Sequence, residues 1–523
     1  MQPIAIYDTT LRDGCQAEGV AFSVEDKLRV ARRLDEIGVA YIEGGWPNQT
    51  NPRDREFFQR AADSDWQNAA IAAFGSTRRG NISAEDDKQL QDLIAARASV
   101  ITIFGKTWDF HATDVLRVTL EENVRMIQDS VAYVKQHAAE VIFDAEHFFD
   151  GYKADPQFAM DCLGAAVSAG ADALVLCDTN GGSLPTEVHE IVAAVRSEFD
   201  TTLGIHCHND SGLAIANTLV GVEAGCTHVQ GTINGYGERA GNANLCVLIP
   251  TLELKVGAQC LPAGKLVDLT ELSHFTSEIA NLPHDNRMPY VGDSAFAHKG
   301  GMHVNAVLKD AASFEHIKPE SVGNERRILV SDYSGTSTVV YKLRKIWDDI
   351  TRDDPIVSAV LAQIKELEKS GYEFEAADAS FELLARRLRD GLITPFDMHG
   401  YSVTVHKPDE DAAPYSEATV KVGVGDREVH TAGEGTGPVD ALDNALRKAL
   451  TELFPKLAQL SLTDYKVRVL RADEGTAAAV RVLVHTSDGE DDWGTVGVHE
   501  NIIEASWHAV IDSFIYGLLK NGD

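Results

Sequence analysis

Eight short apolar runs in the first 260 residues constrain this chain more than any other feature. They are IAIYD (4–8), AYIEGG (40–45), AIAAFG (70–75), VITIFG (100–105), EVIFDAE (140–146), ALVLCDT (173–179), LGIHCH (203–208) and HVQGTING (228–235). Each ends in polar or acidic residues, and helical patterns lie between them. VEDKLRVARRLDEIG (24–38) sets Leu28, Ala31, Leu34 and Ile37 on one stripe and stops at Gly38. Residues 120–137 and 184–199 read the same way. Strand then helix, eight times in about 250 residues, is the size of a closed (β/α)8 barrel. An open doubly wound sheet is the alternative, but it uses fewer strands, and the glycine-rich phosphate fingerprint after the first strand is absent.

A barrel puts chemistry at the C-terminal ends of its strands. Those ends carry Asp8, Arg12 and Asp13; Glu43; Phe74 and Ser76; Phe104 and Lys106; Asp144 and Glu146; Asp178 and Thr179; His206 and His208; Gln230 and Asn234. His206 and His208 are two apart on a strand, so both rings point to one face. Asp13 follows strand one, and YGERAGNAN (236–244) after strand eight adds Glu238, Arg239, Asn242 and Asn244. A carboxylate, two imidazoles and an amide oxygen can therefore converge. Mixed nitrogen and oxygen ligation suits a divalent metal, Mg2+, Mn2+, Zn2+ or Co2+, without choosing among them.

Composition excludes some classes. The formal charge of −33 over 523 residues argues against nucleic-acid or anionic-membrane partners, which want a basic face. Seven scattered cysteines, an odd number without C-x-x-C spacing, read as reduced thiols in a cytoplasmic protein. No secretory signal is visible, and no apolar run reads as a membrane span.

LRDGCQ followed by ten residues and Lys27, and LGIHCHNDSGLAIA, resemble the two signatures of the 2-isopropylmalate, homocitrate and citramalate synthase family of barrel metallolyases. YDTTLRDG, YIEGGWP, DAEHFFDGYK, CDTNGG, QGTINGYGERAGNANL and FAHKGGMHVNAV look most like its citramalate branch. The resemblance covers essentially the whole chain. It implies Asp13, His206 and His208 as metal ligands, with Asn242 as a nearby amide ligand. It implies Arg12 beside the carbonyl of a 2-oxo acid, and Glu146 and Thr179 as substrate-binding and proton-handling groups. It implies His303 as a histidine delivered by a partner subunit. One departure stands out: relatives often carry Thr-Tyr-Glu after that histidine, where this chain has Ser313-Phe314-Glu315. Cys15 reads as a permissive position and not a nucleophile.

The implied reaction is a Claisen condensation of acetyl-CoA with a 2-oxo acid, followed by thioester hydrolysis. The metal would polarise the ketone, Arg12 would neutralise the developing alkoxide, and His303 with Glu146 or Glu238 would handle the methyl proton. Thr179 would bind the substrate carboxylate, with Phe104 and Asp144 also counted as substrate-binding. Pyruvate, giving citramalate for isoleucine synthesis, fits a small pocket walled by Phe74 and Phe104. Lys106 could hold the distal carboxylate of 2-oxoglutarate, which keeps homocitrate synthesis open, and 2-oxobutyrate or 2-oxoisovalerate are expected slow substrates. A carbon–carbon lyase on the same scaffold and a non-catalytic sensor are the competing classes.

The expected domains are a barrel over 1–260, helical linker subdomains over 261–392 and an α+β regulatory or dimerisation domain over 393–523. Residues 266–282 read as an amphipathic helix and 356–388 as two helices around Gly371. YSVTVHK, EATVKVGVG and REVHTAGEGTGPVDALDNALRKAL, then DYKVRVL, AAAVRVLVHTS and residues 492–520, suggest an internal duplication. GEGTGPVDAL (433–442) lacks the Lys-Ser/Thr of a phosphate loop. The resemblance implies a homodimer or higher homo-oligomer and an isoleucine effector.

Overall fold

The computed structural model describes residues 2–391, 394–470 and 478–520. All eight apolar runs become parallel strands: β1 Ala5–Asp8, β2 Tyr41–Gly45, β3 Ala70–Ser76, β4 Val100–Lys106, β5 Glu140–Glu146, β6 Ala173–Asp178, β7 Thr202–Cys207 and β8 His228–Gly231. Each pairs with the next, and β8 returns to β1 with Ala5 opposite His228 and Asp8 opposite Gly231. The barrel is closed, as the repeat predicts. The last run is strand only to Gly231, because Asn234 takes a left-handed conformation inside a short turn, Ile233–Gly235.

Local chemistry explains the helices. In Val24–Ile37 the Ser23 hydroxyl accepts from the Asp26 amide and Asp26 accepts from the Ser23 amide, a capping box. The helix stops at Gly38, whose φ of 94° suits glycine. Its buried side is the anticipated stripe, Leu28, Ala31, Leu34 and Ile37, packed between helices and strands. Strand alternation sends the other residues inward, where Tyr7, Ala72, Val100, Ile142, Ala173, Val175 and Cys177 fill the barrel.

The chain forms two compact units: Met1–Phe296 with Ile317–Arg326, and Ala297–His316 with Arg327–Asp523. Within the first, residues 266–282 form a short turn, Leu266–Asp268, and the helix Leu269–Ile279. In the second, Thr336–Arg344, Pro355–Lys369 and Asp378–Asp390 pack around Val339, Leu343, Val360, Ile364, Phe374 and Phe381. The expected boundary at 392/393 lies outside the described residues. Beyond it come two three-stranded antiparallel sheets, Asp397–His406, Tyr415–Val424 and Arg427–Gly435, then Ser461–Val469, Val480–Ser487 and Asp492–His499. Each is followed by one helix, Pro438–Leu450 or Ile502–Lys520, so the duplication is present. Gly433 and Gly435 serve packing: a Cβ there would lie 2.5 Å from the Ala445 amide and 2.4 Å from the Ala441 amide of the following helix.

One sequence expectation is corrected. Helix Ile502–Lys520 is long and apolar enough to span a membrane by length and composition. Ten of its residues, including Trp507, Val510, Phe514 and Leu518, are buried in the domain core. Its apolarity is that of a core helix.

Candidate active site

Asp13, His206 and His208 meet at the C-terminal mouth of the barrel. The histidines are the last inward position of β7 and the residue two beyond it. Asp13 sits in the turn after β1, where the amides of Arg12, Asp13 and Gly14 all donate to the Thr9 carbonyl. Asp13 Oδ2 lies 3.4 Å from His206 Nε2 and 3.9 Å from His208 Nε2, and the two Nε2 atoms are 3.4 Å apart. All three residues are buried.

The donor set fits a divalent cation. One ligand atom from each of the three residues falls within 4.8 Å of the others. Asn242, bridged to His208, brings a buried Oδ1 that has no hydrogen-bond partner among the described residues. The loop reaches this position through Gly241, whose φ is 89° and where a Cβ would lie 2.1 Å from the Gly235 carbonyl. Burial, then the charge on His206, push His208 down to about 3, so its ring is neutral. Burial alone would raise Asp13; Arg12 and the two histidines together outweigh it, holding the carboxyl well below its usual range. Burial lowers His206, and the hydrogen bond and charge of Asp13, with Asp144, together overcome it, leaving a net rise. A cation would replace that proton.

Arg12 is clamped. Its Nε donates to Glu43 Oε2 at 2.7 Å, Nη1 lies 3.3 Å from Asp13 Oδ2, and the guanidinium sits 3.7 Å from the Phe74 ring centre. Glu43 is fully buried and also accepts from Tyr7 Oη at 2.8 Å and from the Thr9 hydroxyl. The Glu43 side chain thus meets three donors, one of them charged.

These groups line a cavity of about 190 Å³. Its aromatic wall is Phe74 stacked on Phe104 at 5.2 Å, with Trp46 edge-on to both at 5.8 and 5.6 Å. Asp144, Glu146, Cys177, Thr179, Glu238 and Arg239 complete it. Burial, then Glu43, raise the Asp144 carboxyl to about 7. Thr179 Oγ1 accepts from the His147 amide at 2.9 Å, leaving its proton free to donate. Arg239 ties the rim together, donating to the Thr179 carbonyl at 2.7 Å and to both Asp210 carboxylate oxygens at 2.8 and 3.0 Å.

The structure thus brings together Arg12, Asp13, Phe104, Asp144, Glu146, Thr179, His206, His208 and Asn242. Lys106, the possible cation for a distal carboxylate, is ion-paired with Glu146. His303 belongs to the second unit, on helix Gly301–Val307, exposed and stacked on Phe314 at 4.2 Å. Asp8, Asp178 and Asn234 turn to structural work, bonding Thr10, Ser183 and Ser273. Asn244 caps helix Leu245–Thr251. Trp46 and the clamping role of Glu43 were not singled out from sequence, although both lie within YIEGGWP.

Fold and site define a class: barrel enzymes with a cluster able to hold a metal ion and an arginine at the C-terminal mouth. The HMGL-like family model matches residues 3–276, a homocitrate synthase post-HMGL domain-like model 290–372, and a LeuA allosteric (dimerisation) domain model 375–517. The (R)-citramalate synthase of Aquifex aeolicus is 54% identical, over 99% of this chain and 98% of its own. That of Geobacter sulfurreducens is 52% identical, over 100% and 98%. A homocitrate synthase of Methanopyrus kandleri is 37% identical over 70% of this chain and 87% of its own. The chain belongs to the HMGL-like enzyme family and, within it, to the family of the (R)-citramalate synthases.

Proposed function

We propose that this enzyme condenses acetyl-CoA with pyruvate and hydrolyses the resulting thioester, releasing (R)-citramalate and CoA, as an acyltransferase of isoleucine biosynthesis in the cytoplasm. The observation that carries the reading is the cavity: small, with an aromatic wall opposite the Asp13, His206 and His208 cluster. A three-carbon oxo acid fits with its carboxylate and ketone toward the cluster and its methyl toward Phe74 and Phe104. Asp13, His206, His208 and Asn242 would hold a divalent cation, Mg2+, Mn2+, Zn2+ or Co2+, acting there as a Lewis acid on the ketone.

The protein's own groups do the rest. Arg12, fixed by Glu43 and Asp13, keeps further N–H donors for the oxygen that gains charge as the carbon–carbon bond forms. Preorganisation matters because a clamped donor needs no rearrangement as charge develops. Thr179 donates to the substrate carboxylate. We assign removal of the acetyl methyl proton to His303 supplied by a second copy of the chain, with Glu146 at the cavity wall. This assignment rests on the family resemblance and on the exposure of His303 in its own unit. Phe314 offers no hydroxyl, so the proton passes without the tyrosine that relatives carry. The pairing of Lys106 with Glu146 supports pyruvate over 2-oxoglutarate, since it engages the cation a distal carboxylate would want. We further propose the three expected segments as catalytic, linking and regulatory parts of a homodimer, with isoleucine as effector.

The test is release of free thiol from acetyl-CoA with Mn2+ and a panel of 2-oxo acids. The expected result is the highest kcat/KM with pyruvate. Highest turnover with 2-oxoglutarate would reassign the substrate, and no thiol release with any oxo acid would remove the condensing reaction.

A further inference from the structure

Behind the metal-ligand cluster, inside the barrel, a buried chain of polar contacts ends on His206. Its Nδ1 lies 2.9 Å from Gln230 Oε1. Gln230 Nε2 lies 3.1 Å from Asp144 Oδ1 and 3.5 Å from His228 Nε2. Gln230 has no exposed surface, and Asp144, His206 and His228 are each buried.

A carboxamide has one accepting end and one donating end, and rotating it by half a turn exchanges them. Two acceptors decide which way Gln230 faces. Burial and Glu43 raise the Asp144 carboxyl to about 7; in its ionised form, which a cation at the cluster favours, it can only accept. His228 is kept neutral by burial, its pKa pushed down to about 3, and in its Nδ1–H tautomer the Nε2 facing Gln230 accepts. Both call for the amide nitrogen, which has two N–H groups to give. The oxygen must then face His206, and His206 must present a proton at Nδ1. That choice leaves the lone pair on Nε2, the atom facing Asp13 and His208. Flipped, Gln230 would aim an N–H at Nδ1, the ring proton would move to Nε2, and the ligand atom would be blocked.

We propose that Asp144 and His228 act as positioning residues: they set the orientation of Gln230 and, through it, hold His206 in the tautomer that binds metal. The inference deepens the proposed function and rests on it for the presence of a cation. Asp144 thereby acquires a role separate from the substrate contact that its place in the cavity wall suggests. A divalent charge at the cluster would in turn favour the ionised, accept-only form of Asp144, so lock and ligand reinforce each other. Outer partners of this kind are worth about 10- to 100-fold in metal affinity.

The experiment is Mn2+ titration calorimetry on the full-length protein, with the metal-free unfolding midpoint measured alongside. Asp144→Asn keeps the shape but can donate as well as accept, so both orientations of Gln230 become available. The expected result is Mn2+ binding weakened about tenfold, with little movement of the metal-free midpoint. Gln230→Leu should weaken binding at least as much. The Asp144→Asn, Gln230→Leu double variant should bind no more weakly than Gln230→Leu alone, because Asp144 acts only through Gln230. Wild-type affinity in Asp144→Asn, or losses that add in the double variant, would overturn the inference. Failure of the wild type itself to bind any divalent ion would instead overturn the proposed function.

Discussion

Glu43→Gln is the substitution that most sharply tests the clamp on Arg12. The carboxylate is fully buried and accepts from Tyr7 Oη, the Thr9 hydroxyl and Arg12 Nε. Glutamine has the same shape but only one oxygen, and its nitrogen turns two donors toward a site already full of donors. At least one of the three loses its acceptor, at a cost of about 1–3 kcal/mol. Removing one partner of a buried ion pair costs about 3–5 kcal/mol. Two effects reduce that figure: Asp13 still lies 3.3 Å from Arg12, and the repulsion that raises Asp8 and Asp144 disappears. A net loss of about 3 kcal/mol in unfolding free energy follows. Catalysis should suffer separately, because a fork released from Glu43 no longer holds its donors where charge develops. Loss of one such donor costs about 10²–10³ in kcat. Urea unfolding gives the first quantity, and thiol release at saturating metal and substrate gives the second. A variant with an unchanged unfolding midpoint and kcat within threefold of wild type would refute the clamp.

Three further outcomes are expected. His208→Ala should fold yet lose the stabilisation that Mn2+ gives the wild type, about 2.7 kcal/mol at a concentration 100 times Kd; an equal thermal shift in both proteins would rule His208 out as a ligand. Phe104→Ala should narrow the preference for pyruvate over 2-oxobutyrate by about tenfold, since one methylene in such a pocket is worth about 1–3 kcal/mol; an unchanged ratio of kcat/KM values would remove Phe104 from the methyl pocket. Asp8, buried and raised to about 7, holds a proton in the folded state that it releases when unfolded above about pH 4. Wild-type stability relative to Asp8→Asn should therefore fall as pH rises from about 4 to about 7, by up to about 1.4 kcal/mol per unit, and level off above; a difference that grows in favour of the wild type over that window would contradict the assignment.

The barrel could be read from the chain because its signal is local and repeated: an apolar run and a helix stripe recur eight times, and each strand formed within two residues of its run's start. Much of the site could be read because strand parity is strict. Ala72 and Phe74, Thr102 and Phe104, Ile142, Asp144 and Glu146, Val175 and Cys177, and Gly204, His206 and His208 alternate along their strands, so a core position predicts the cavity position two beyond it. What escaped sequence reading is what parity does not reach. The β2–β3 register shifts between Glu43 and Gly45, and Trp46 follows that irregularity. Arg239 takes a left-handed conformation in a glycine-rich loop, a geometry no periodicity announces. The partner of Lys106 escaped too, because the ion pair with Glu146 crosses between neighbouring strands, where residues 40 apart in sequence stand side by side.

The same parity explains why the cavity is two-faced. β2, β3 and β4 deliver Trp46, Phe74 and Phe104, whereas the ends of β7, β8 and β1 deliver two histidines, an amide and a carboxylate. Arg12 stands between them, its guanidinium over the Phe74 ring and its Nη1 close to Asp13. An oxo acid entering this space meets charge on one side and aromatic carbon on the other, so only one end-to-end orientation is favourable. In the proposed function the carbonyl carbon lies beside Arg12, at the seam between the faces. Orientation is set by which strands carry which residues, before any loop closes. In the proposed function substrate length is set on the side away from the cluster, by the aromatic wall and the engaged Lys106, and a change at Phe104 should alter which oxo acid is used, whereas one at Phe74 would also loosen Arg12.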